Sequence, residues 1–451
     1  MTPNSKGRPI IASSAATAVP RFDKILIIPF LAYAYALIVG RLVDYVFPPV
    51  PNETTLSNRL FWPALAAATL VWAATRRERS WSLAIPPHIV CMLAYVAYAG
   101  SSIAWAYAPA ASGVRFTQQA MVLVCILLPG LLAGARASLM RMLFLCCAIA
   151  ALLNIAFVLG NSDAVVRKAG GIAGYFDGKN TLGEFATIAI IVALYEALHA
   201  GWRRIAGIFI LVLSVVLLNV CNSKTALALA LVSPLVALGA VLIRKYLRLS
   251  PALFTVFLLF AYLAARAIAG LDFARISYFL YGESTLTGRM TIWYFAESLI
   301  AERPWFGWGY QSFWLVGPNA PSVVRAPGWV KSMPQAHNGY YDTMLELGYI
   351  GLALLVVFVL ATLHATGRIA DRNQTRAWVV LSLLYYAILY NFLESFWMRG
   401  FEFIWVTVVI VVAEIGRDWQ RAPNTRPAME LSRRVATRRP VGAPARHHRR
   451  G

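Results

Sequence analysis

The chain has 451 residues, of which 59% are hydrophobic and only 14% are charged, and its mean hydropathy is +0.62. Soluble domains carry about 25% charged residues, so this composition excludes an ordinary water-soluble protein and predicts a polytopic membrane protein. The net charge of +21 does not indicate a nucleic-acid partner. Much of it falls after residue 416, in a Pro-, Ala- and Arg-rich segment that is typical of a disordered tail attracted to anionic lipid.

Apolar segments long enough to cross a bilayer recur along the whole chain. A helical crossing of the hydrocarbon core needs about 16 to 25 apolar residues, and helices satisfy their own backbone hydrogen bonds in lipid. We therefore expect an all-α polytopic fold with about twelve transmembrane helices. The predicted spans are 25–40, 60–75, 82–105, 117–135, 141–160, 180–200, 205–222, 225–243, 251–270, 339–364, 377–393 and 401–416.

Lysine and arginine accumulate on alternate connections between these spans and at both ends of the chain. Because cations are retained on the cytoplasmic side, both termini are predicted to be cytoplasmic, in the inner membrane of a bacterium. The polar stretch from about 271 to 338 then forms a large periplasmic loop that carries short helices. The predicted domains are a cytoplasmic N-terminal segment, 1–24, a transmembrane domain, 25–416, and a basic disordered cytoplasmic tail, 417–451.

His337 is the histidine that this orientation places in the periplasm. Pro334 ends any preceding helix, Asn338 can cap the next one, and Asp342 lies in its first turn, where an acidic group suits the helix dipole. A neutral imidazole held there can take a proton from a sugar hydroxyl near neutral pH. The alternative is a loop histidine that only hydrogen-bonds the backbone.

Cations recur at the predicted outer ends of helices, where charge near the membrane tends to be functional or paired. Lys or Arg together with free helix N-terminal amides forms a cradle for pyrophosphate. In a purely structural account, Asp177, Glu184 or Glu394 would pair with these cations instead. The candidate substrate-binding residues are Lys179, Asn180, Ser223, Lys224, Arg289, Arg303 and Asn338.

The outer loop is also rich in aromatic residues, and two interpretations stay open. The rings could line a groove in which sugars stack on aromatic faces, or they could form the interfacial belt common to membrane proteins. The residues concerned are Tyr278, Phe279, Tyr281, Trp293, Tyr294, Trp305, Trp308, Tyr310, Phe313 and Trp314.

Six motifs follow one another between about residues 170 and 410, and as an ordered set they are specific. They are G-K-N at Gly178, S-K-T at Ser223, L-T-G-R-M-T-I-W at Leu286, R-P-W-F-G-W-G-Y at Arg303, A-H-N-G-Y-Y-D at Ala336 and N-F-L-E-S at Asn391. This set resembles the O-antigen ligase and polymerase superfamily, and is most similar to its ExoQ-type exopolysaccharide polymerases.

The resemblance implies a GT-C-like glycosyltransferase that uses a glycan carried on undecaprenyl pyrophosphate. In that family, outer-face arginines hold the diphosphate and the histidine before asparagine is proposed to activate the acceptor. His337 and Arg289 are therefore the catalytic candidates, with Glu394 and Asp342 as supporting residues. Many relatives have His-Lys-Asn where this chain has Gly178-Lys179-Asn180, so a second proton-handling group is missing from that motif.

We expect a reaction without metal or other cofactor, because cations can neutralise a pyrophosphate leaving group and the predicted outer face has no D-x-D motif. Direct attack by the acceptor hydroxyl would invert the anomeric centre. The first candidate function is a polymerase that joins lipid-linked repeat units into exopolysaccharide or O-antigen. The second is a ligase that transfers the glycan to lipid A core, and the third is a flippase or other transporter of the lipid-linked sugar. The predicted partners are the undecaprenyl-pyrophosphate-linked oligosaccharide and the bilayer, with a chain-length regulator and a flippase as further candidates.

Overall fold

A computed structural model describes residues 24–47, 55–75, 85–132, 138–162, 167–168, 170–270, 275 and 288–420. Within these residues the fold is almost entirely helical, as predicted. The described strands form one short antiparallel hairpin, in which β1 (Arg167–Lys168) pairs with β2 (Gly171–Ile172). Most of the predicted cytoplasmic segments at the two ends, up to residue 23 and from residue 421 on, lie outside the described residues.

Each of the twelve predicted spans overlaps one long helix. These helices are α1 (Lys24–Val46), α2 (Leu56–Thr75), α3 (Pro87–Ser101, continued by the 3-10 turn Ser102–Trp105), α4 (Pro109–Leu132), α5 (Leu139–Gly160), α6 (Lys179–Ala197), α7 (Trp202–Val220), α8 (Lys224–Leu247), α9 (Pro251–Ala269), α12 (Gly339–Arg372), α13 (Gln374–Tyr390) and α14 (Phe403–Gln420). Among the described residues, nine of them are long and apolar enough to cross a membrane; α2, α13 and α14 are the other three. The all-α polytopic fold is confirmed.

The loop between α9 and α12 carries short helices, as the sequence predicted. They are α10 (Arg289–Glu302), α11 (Pro321–Val324) and the 3-10 turn Gly328–Ser332. We call the end of the bundle where α4, α6, α8 and α12 begin the outer end, and the opposite one the inner end.

The inner end holds several of the cations that were predicted to be cytoplasmic. Arg376, at the start of α13, pairs with Glu414 of α14 at 2.7 Å. Arg203, at the start of α7, pairs with Glu196 at 2.6 Å. These ion pairs tie helix ends together on the side that the charge distribution predicts to face the cytoplasm.

The outer loop has its own hydrophobic core, and several of the aromatic residues that the sequence assigned to a sugar groove or a membrane belt lie in that core. Trp308, Phe313 and Trp314 are buried there against Phe295 and Leu299 of α10. Tyr310 is buried in the main core of the bundle, whereas Tyr294 and Trp305 are exposed. Most of the described aromatic residues therefore pack inside the protein, and one of them, Trp314, also lines the cavity described below. Tyr278, Phe279 and Tyr281 lie outside the described residues.

Helix α12 is broken at Gly348, which has φ 66° and ψ −168°. The motif R-P-W-F-G-W-G-Y fits into the break. The backbone N–H groups of Trp308 and Gly309 donate to the carbonyls of Leu345 and Glu346, both at 2.8 Å, and the N–H of Tyr349 donates to the carbonyl of Pro304 at 2.7 Å. The loop thus satisfies backbone groups that the break would otherwise leave unpaired in an apolar setting.

Helix α1 contains a π-helical segment, Tyr35–Val39, between two α-helical segments. A π segment inserts one extra residue into a turn and rotates everything that follows, and such segments are frequent at functional sites. Tyr35, Gly40, Arg41 and Asp44 of this helix line the cavity described below.

Candidate functional site

A polar cavity of about 770 Å³ lies at the outer end of the bundle. Its walls come from α1, the start of α2, α4, α6 and α12, and from loops around residues 311–315, 334–337 and 394–402. The lining carboxylates outnumber the lining arginines among the described residues, and they include Asp177, Glu184 and Glu394, the acids that the sequence named as possible partners of the outer cations. The charged lining residues are Arg41, Arg115, Arg399, Asp44, Asp177, Glu184, Glu346, Glu394 and Glu402.

His337 lies in the cavity wall and is held by Glu394. Its Nδ1 atom is 2.7 Å from Glu394 Oε2. The other carboxylate oxygen, Oε1, accepts a hydrogen bond from Arg289 Nη2 at 2.6 Å, and Gln335 Nε2 donates to Oε2 at 3.1 Å. Glu394 is 9% exposed at its side chain and His337 is 26% exposed. The structure thus brings His337 and Arg289, the two predicted catalytic residues, to one carboxylate.

The segment before α12 fixes the position of His337. Asn338 caps the helix, as predicted: its side chain accepts from the N–H groups of Tyr340 and Tyr341, at 3.0 and 3.3 Å. Asp342 accepts from the N–H of Ala336 and from the indole of Trp314 at 2.7 Å. Both side chains are buried, and their hydrogen bonds fix the backbone on both sides of His337.

Backbone strain concentrates around the cavity. Outside glycine, six described residues have a positive φ. Of these, Gln311, Leu315 and His337, with φ between 45° and 48°, line the cavity, and Met398, with φ 53°, precedes the lining residue Arg399. Each such residue costs roughly 1–3 kcal/mol and persists only where its surroundings enforce it, which is typical of functional sites.

Arg399 forms a buried ionic cluster with two carboxylates of α12. It contacts Asp342 at 3.0 Å and Glu346 at 2.8 Å. Burial works against the charged guanidinium, but the two neighbouring carboxylates outweigh it, so the pKa of Arg399 is raised above its ordinary value. The cluster ties the loop after α13 to the same half of α12 that begins beside His337.

Arg41 and Arg115 are further cavity residues that the sequence interpretation missed. Arg41 pairs with Glu402 at 2.7 Å, and Arg115 donates to the carbonyl of Gln311. Arg115 is in no ion pair within the described part of the chain, and the charged groups within its electrostatic range include Arg399 and Glu346. The available signal was an arginine beside or inside an apolar span, since such charges are expensive unless they are used or paired.

The predicted substrate-binding residues divide into two groups in the structure. Asn180 lines the cavity and accepts from the hydroxyl of Ser223 at 3.4 Å. Lys179 runs instead along the β1–β2 hairpin, beside Gly171, and the guanidinium of Arg303 stacks on the ring of Trp308 at 4.1 Å. Lys179, Ser223, Lys224, Arg289, Arg303 and Asn338 are not among the described residues that line the cavity.

Comparisons with known proteins agree with the family resemblance that the motifs indicated. A family model described as O-antigen ligase matches residues 209–356. Exopolysaccharide production protein ExoQ of Rhizobium meliloti is 27% identical over 302 residues, which cover 64% of this chain and 68% of that protein. A putative polysaccharide ligase of Rickettsia felis is 28% identical over 137 residues, or 29% of this chain and 33% of that protein. One from Rickettsia bellii is 29% identical over 127 residues, or 27% and 31%. The alignments thus span about a third of these Rickettsia proteins.

The fold and the cavity define a multi-pass helical membrane protein with a polar site at one end of its bundle. The comparisons confirm the similarity of this chain to the O-antigen ligase family and to ExoQ-like exopolysaccharide proteins.

Proposed function

We propose that the protein is an inner-membrane glycosyltransferase that polymerises undecaprenyl-pyrophosphate-linked repeat units into exopolysaccharide or O-antigen at the periplasmic face. The similarity to an exopolysaccharide production protein and to polysaccharide ligases supports glycosyl transfer. The cavity lies at the end of the bundle that the cation distribution predicts to be periplasmic, where a lipid-linked glycan is available.

The contact between His337 and Glu394 in the cavity wall is the observation that carries this proposal. A carboxylate on Nδ1 fixes the imidazole tautomer and leaves Nε2 free to accept a proton. Nε2 takes the proton of an acceptor sugar hydroxyl while that oxygen bonds to the anomeric carbon of the donor. The bond from this carbon to the diphosphate oxygen breaks, and the diphosphate leaves with the electron pair. One direct displacement inverts the anomeric centre.

The leaving diphosphate needs positive charge, which a preorganised site supplies without a metal. Arg115 and Arg399 lie within electrostatic range of each other in the cavity wall. Because Arg115 has no carboxylate in contact with it among the described residues, whereas Arg399 is bound by Asp342 and Glu346, Arg115 is the cavity arginine best suited to the diphosphate. Lys179 and Lys224 remain predicted contacts at the outer end.

A ligase that transfers the finished glycan to lipid A core is the second candidate. The names of the Rickettsia relatives favour it, and it would use the same base and the same donor with a different acceptor. A flippase or transporter of the lipid-linked sugar is third, because transport calls for charges along a path through the membrane, whereas the catalytic candidates gather at one end.

Replacement of His337 tests the proposed chemistry. General-base catalysis contributes about 100- to 10,000-fold in rate, so His337→Ala should slow chain growth at least about 100-fold. Membrane vesicles that contain the variant would be supplied with lipid-linked repeat units in EDTA, and chain length followed on gels. Arg325→Gln is the matched control, because Arg325 is exposed and pairs with Glu302 outside the cavity. Normal chain growth by His337→Ala would refute the role of the histidine.

A gene deletion distinguishes the two leading functions. Without a polymerase, single repeat units accumulate on the lipid carrier or on their acceptor. Without a ligase, long chains remain on the lipid carrier. The size of the stranded glycan in the deletion strain therefore decides between them.

A further inference from the structure

We infer that Arg289 acts on His337 through Glu394, as a positioning residue of the base, and does not hold the lipid diphosphate. The inference rests on the proposed function, because it assigns a role within the same site. It differs from the role that the sequence motif suggested, which was direct contact between this arginine and the diphosphate.

The contacts of Arg289 point to this role. Arg289 is the first residue of α10, its side chain is 16% exposed, and its Nη2 atom lies 2.6 Å from Glu394 Oε1. It is not among the described residues that line the cavity, whereas Glu394 and His337 are. The Nη2 atom of Arg289 is in contact with a carboxylate that is itself buried, and its withdrawal towards a diphosphate would leave an uncompensated buried charge, which is costly.

The two oxygens of Glu394 divide its contacts. Oε1 faces Arg289, and Oε2 faces His337 and Gln335. A carboxylate that faced the imidazole alone would stabilise the protonated imidazolium, which cannot accept a proton. Arg289 offsets part of this negative charge. The arrangement therefore keeps the tautomer that Glu394 selects, while Arg289 shares the charge of the carboxylate.

Other titratable groups lie near the pair, but among the described residues only Arg289 and His337 are in ion-pair contact with Glu394. Glu184 of α6 lies within electrostatic range of Glu394. Tyr386 and Tyr390 of α13 also lie within electrostatic range of Glu394. From α12, Asp342 and Glu346 are bound by Arg399. The remaining charged residues of the described cavity lining are Arg41, Asp44, Arg115, Asp177 and Glu402. Of the described cations, Arg289 is the one in contact with Glu394.

The reactivity of His337 towards diethyl pyrocarbonate tests the inference without any need for turnover. The reagent modifies neutral imidazole, and His337 is partly exposed to the cavity. Purified protein in nanodiscs would be modified at several pH values between about 5 and 8, the range in which histidine titrates, and His337 followed by peptide mass spectrometry. In Arg289→Gln we expect the rise in modification to occur at higher pH than in the wild type. An unchanged profile would overturn the inference.

A double-mutant cycle separates action through Glu394 from independent action. Glu394→Gln removes the carboxylate, so adding Arg289→Gln to it should change the modification profile far less than Arg289→Gln does in the wild-type background. The double variant also removes both charges together, which guards against a folding defect from one unpaired charge. A full-sized shift in the Glu394→Gln background would contradict the proposed route.

Kinetics then distinguish two roles of Arg289, the positioning of the base and the binding of the diphosphate. In Arg289→Gln, the acidic limb of the rate–pH profile should move to higher pH, while the KM for the lipid-linked donor stays within about twofold. Arg289→Lys should restore most of the wild-type profile because it keeps the charge. A KM that rises more than about tenfold with an unmoved limb would instead assign Arg289 to the diphosphate. Absence of turnover by the wild type would refute the proposed function, and the modification profile would still decide the role of Arg289.

Discussion

Glu394 joins side chains that lie 57 and 105 positions away from it along the chain. The sequence identified His337 and Arg289 from their own motifs, and it counted Glu394 only as a candidate support or ion-pair partner. The structure supplies the connection, since one carboxylate contacts both. At the scale of single residues, the site thus contains several ion pairs. Which carboxylate each cation contacts determines the role that the cation can have.

The Arg399 cluster gives a stability prediction at the same scale. Arg399→Leu would leave Asp342 and Glu346 buried without their shared cation, and breaking such a buried pair costs about 3–5 kcal/mol. We expect a clearly lower thermal unfolding midpoint in detergent, measured by intrinsic tryptophan fluorescence. Arg399→Lys keeps the charge but loses the planar double contact, so its loss should be smaller. Equal losses for the two variants would show that the guanidinium geometry, and not its charge, stabilises the cluster.

At the scale of helices, the break in α12 explains the glycine motif better than substrate contact does. Gly307 and Gly348 both have positive φ, and a Cβ atom at either would lie 2.6 Å or less from the backbone of the other segment. Glycine is required here because two backbones approach closely and both adopt the left-handed region. The motif therefore positions the first half of α12, which begins beside His337.

Gly348→Ala tests this interpretation. The added methyl group would lie 2.2 Å from the carbonyl of Trp305, at a φ of 66°. The backbone strain alone costs roughly 1–3 kcal/mol, so the unfolding midpoint should fall and activity should fall with it. Gly113→Ala is the control, because its Cβ would meet nothing within 4 Å in α4. Wild-type stability in Gly348→Ala would mean that the break is not enforced by close packing.

At the scale of the whole molecule, the cation distribution predicts which end faces the periplasm. Lys331 in the outer loop and Arg204 at the inner end are both exposed, so cysteines there report on opposite sides. In spheroplasts, a membrane-impermeant maleimide should label Lys331→Cys directly and Arg204→Cys only after permeabilisation. The unsubstituted chain, whose described cysteines are mostly buried, gives the background. The reverse labelling pattern would invert the proposed topology.

Much of the fold was predictable because a helix in lipid is determined locally, by the length and hydropathy of one segment. The twelve predicted spans therefore overlap twelve helices. The cavity was less predictable, because helix rotation and loop contacts depend on distant residues. Arg41 reaches the site through a π segment and an ion pair with a residue 361 positions away. Lys179 lies beside the hairpin and Arg303 stacks on Trp308, and the motifs that contain them do not reveal that both are absent from the described cavity lining.

The interruption at Gly348 also separates two demands that a continuous helix would have to meet at once. The longer half of α12 has to match the thickness of the bilayer, whereas the shorter half has to hold the imidazole at the right distance from its substrate. Backbone contacts with the outer loop hold the shorter half in place. We therefore expect that the length of the longer half can change without displacing His337.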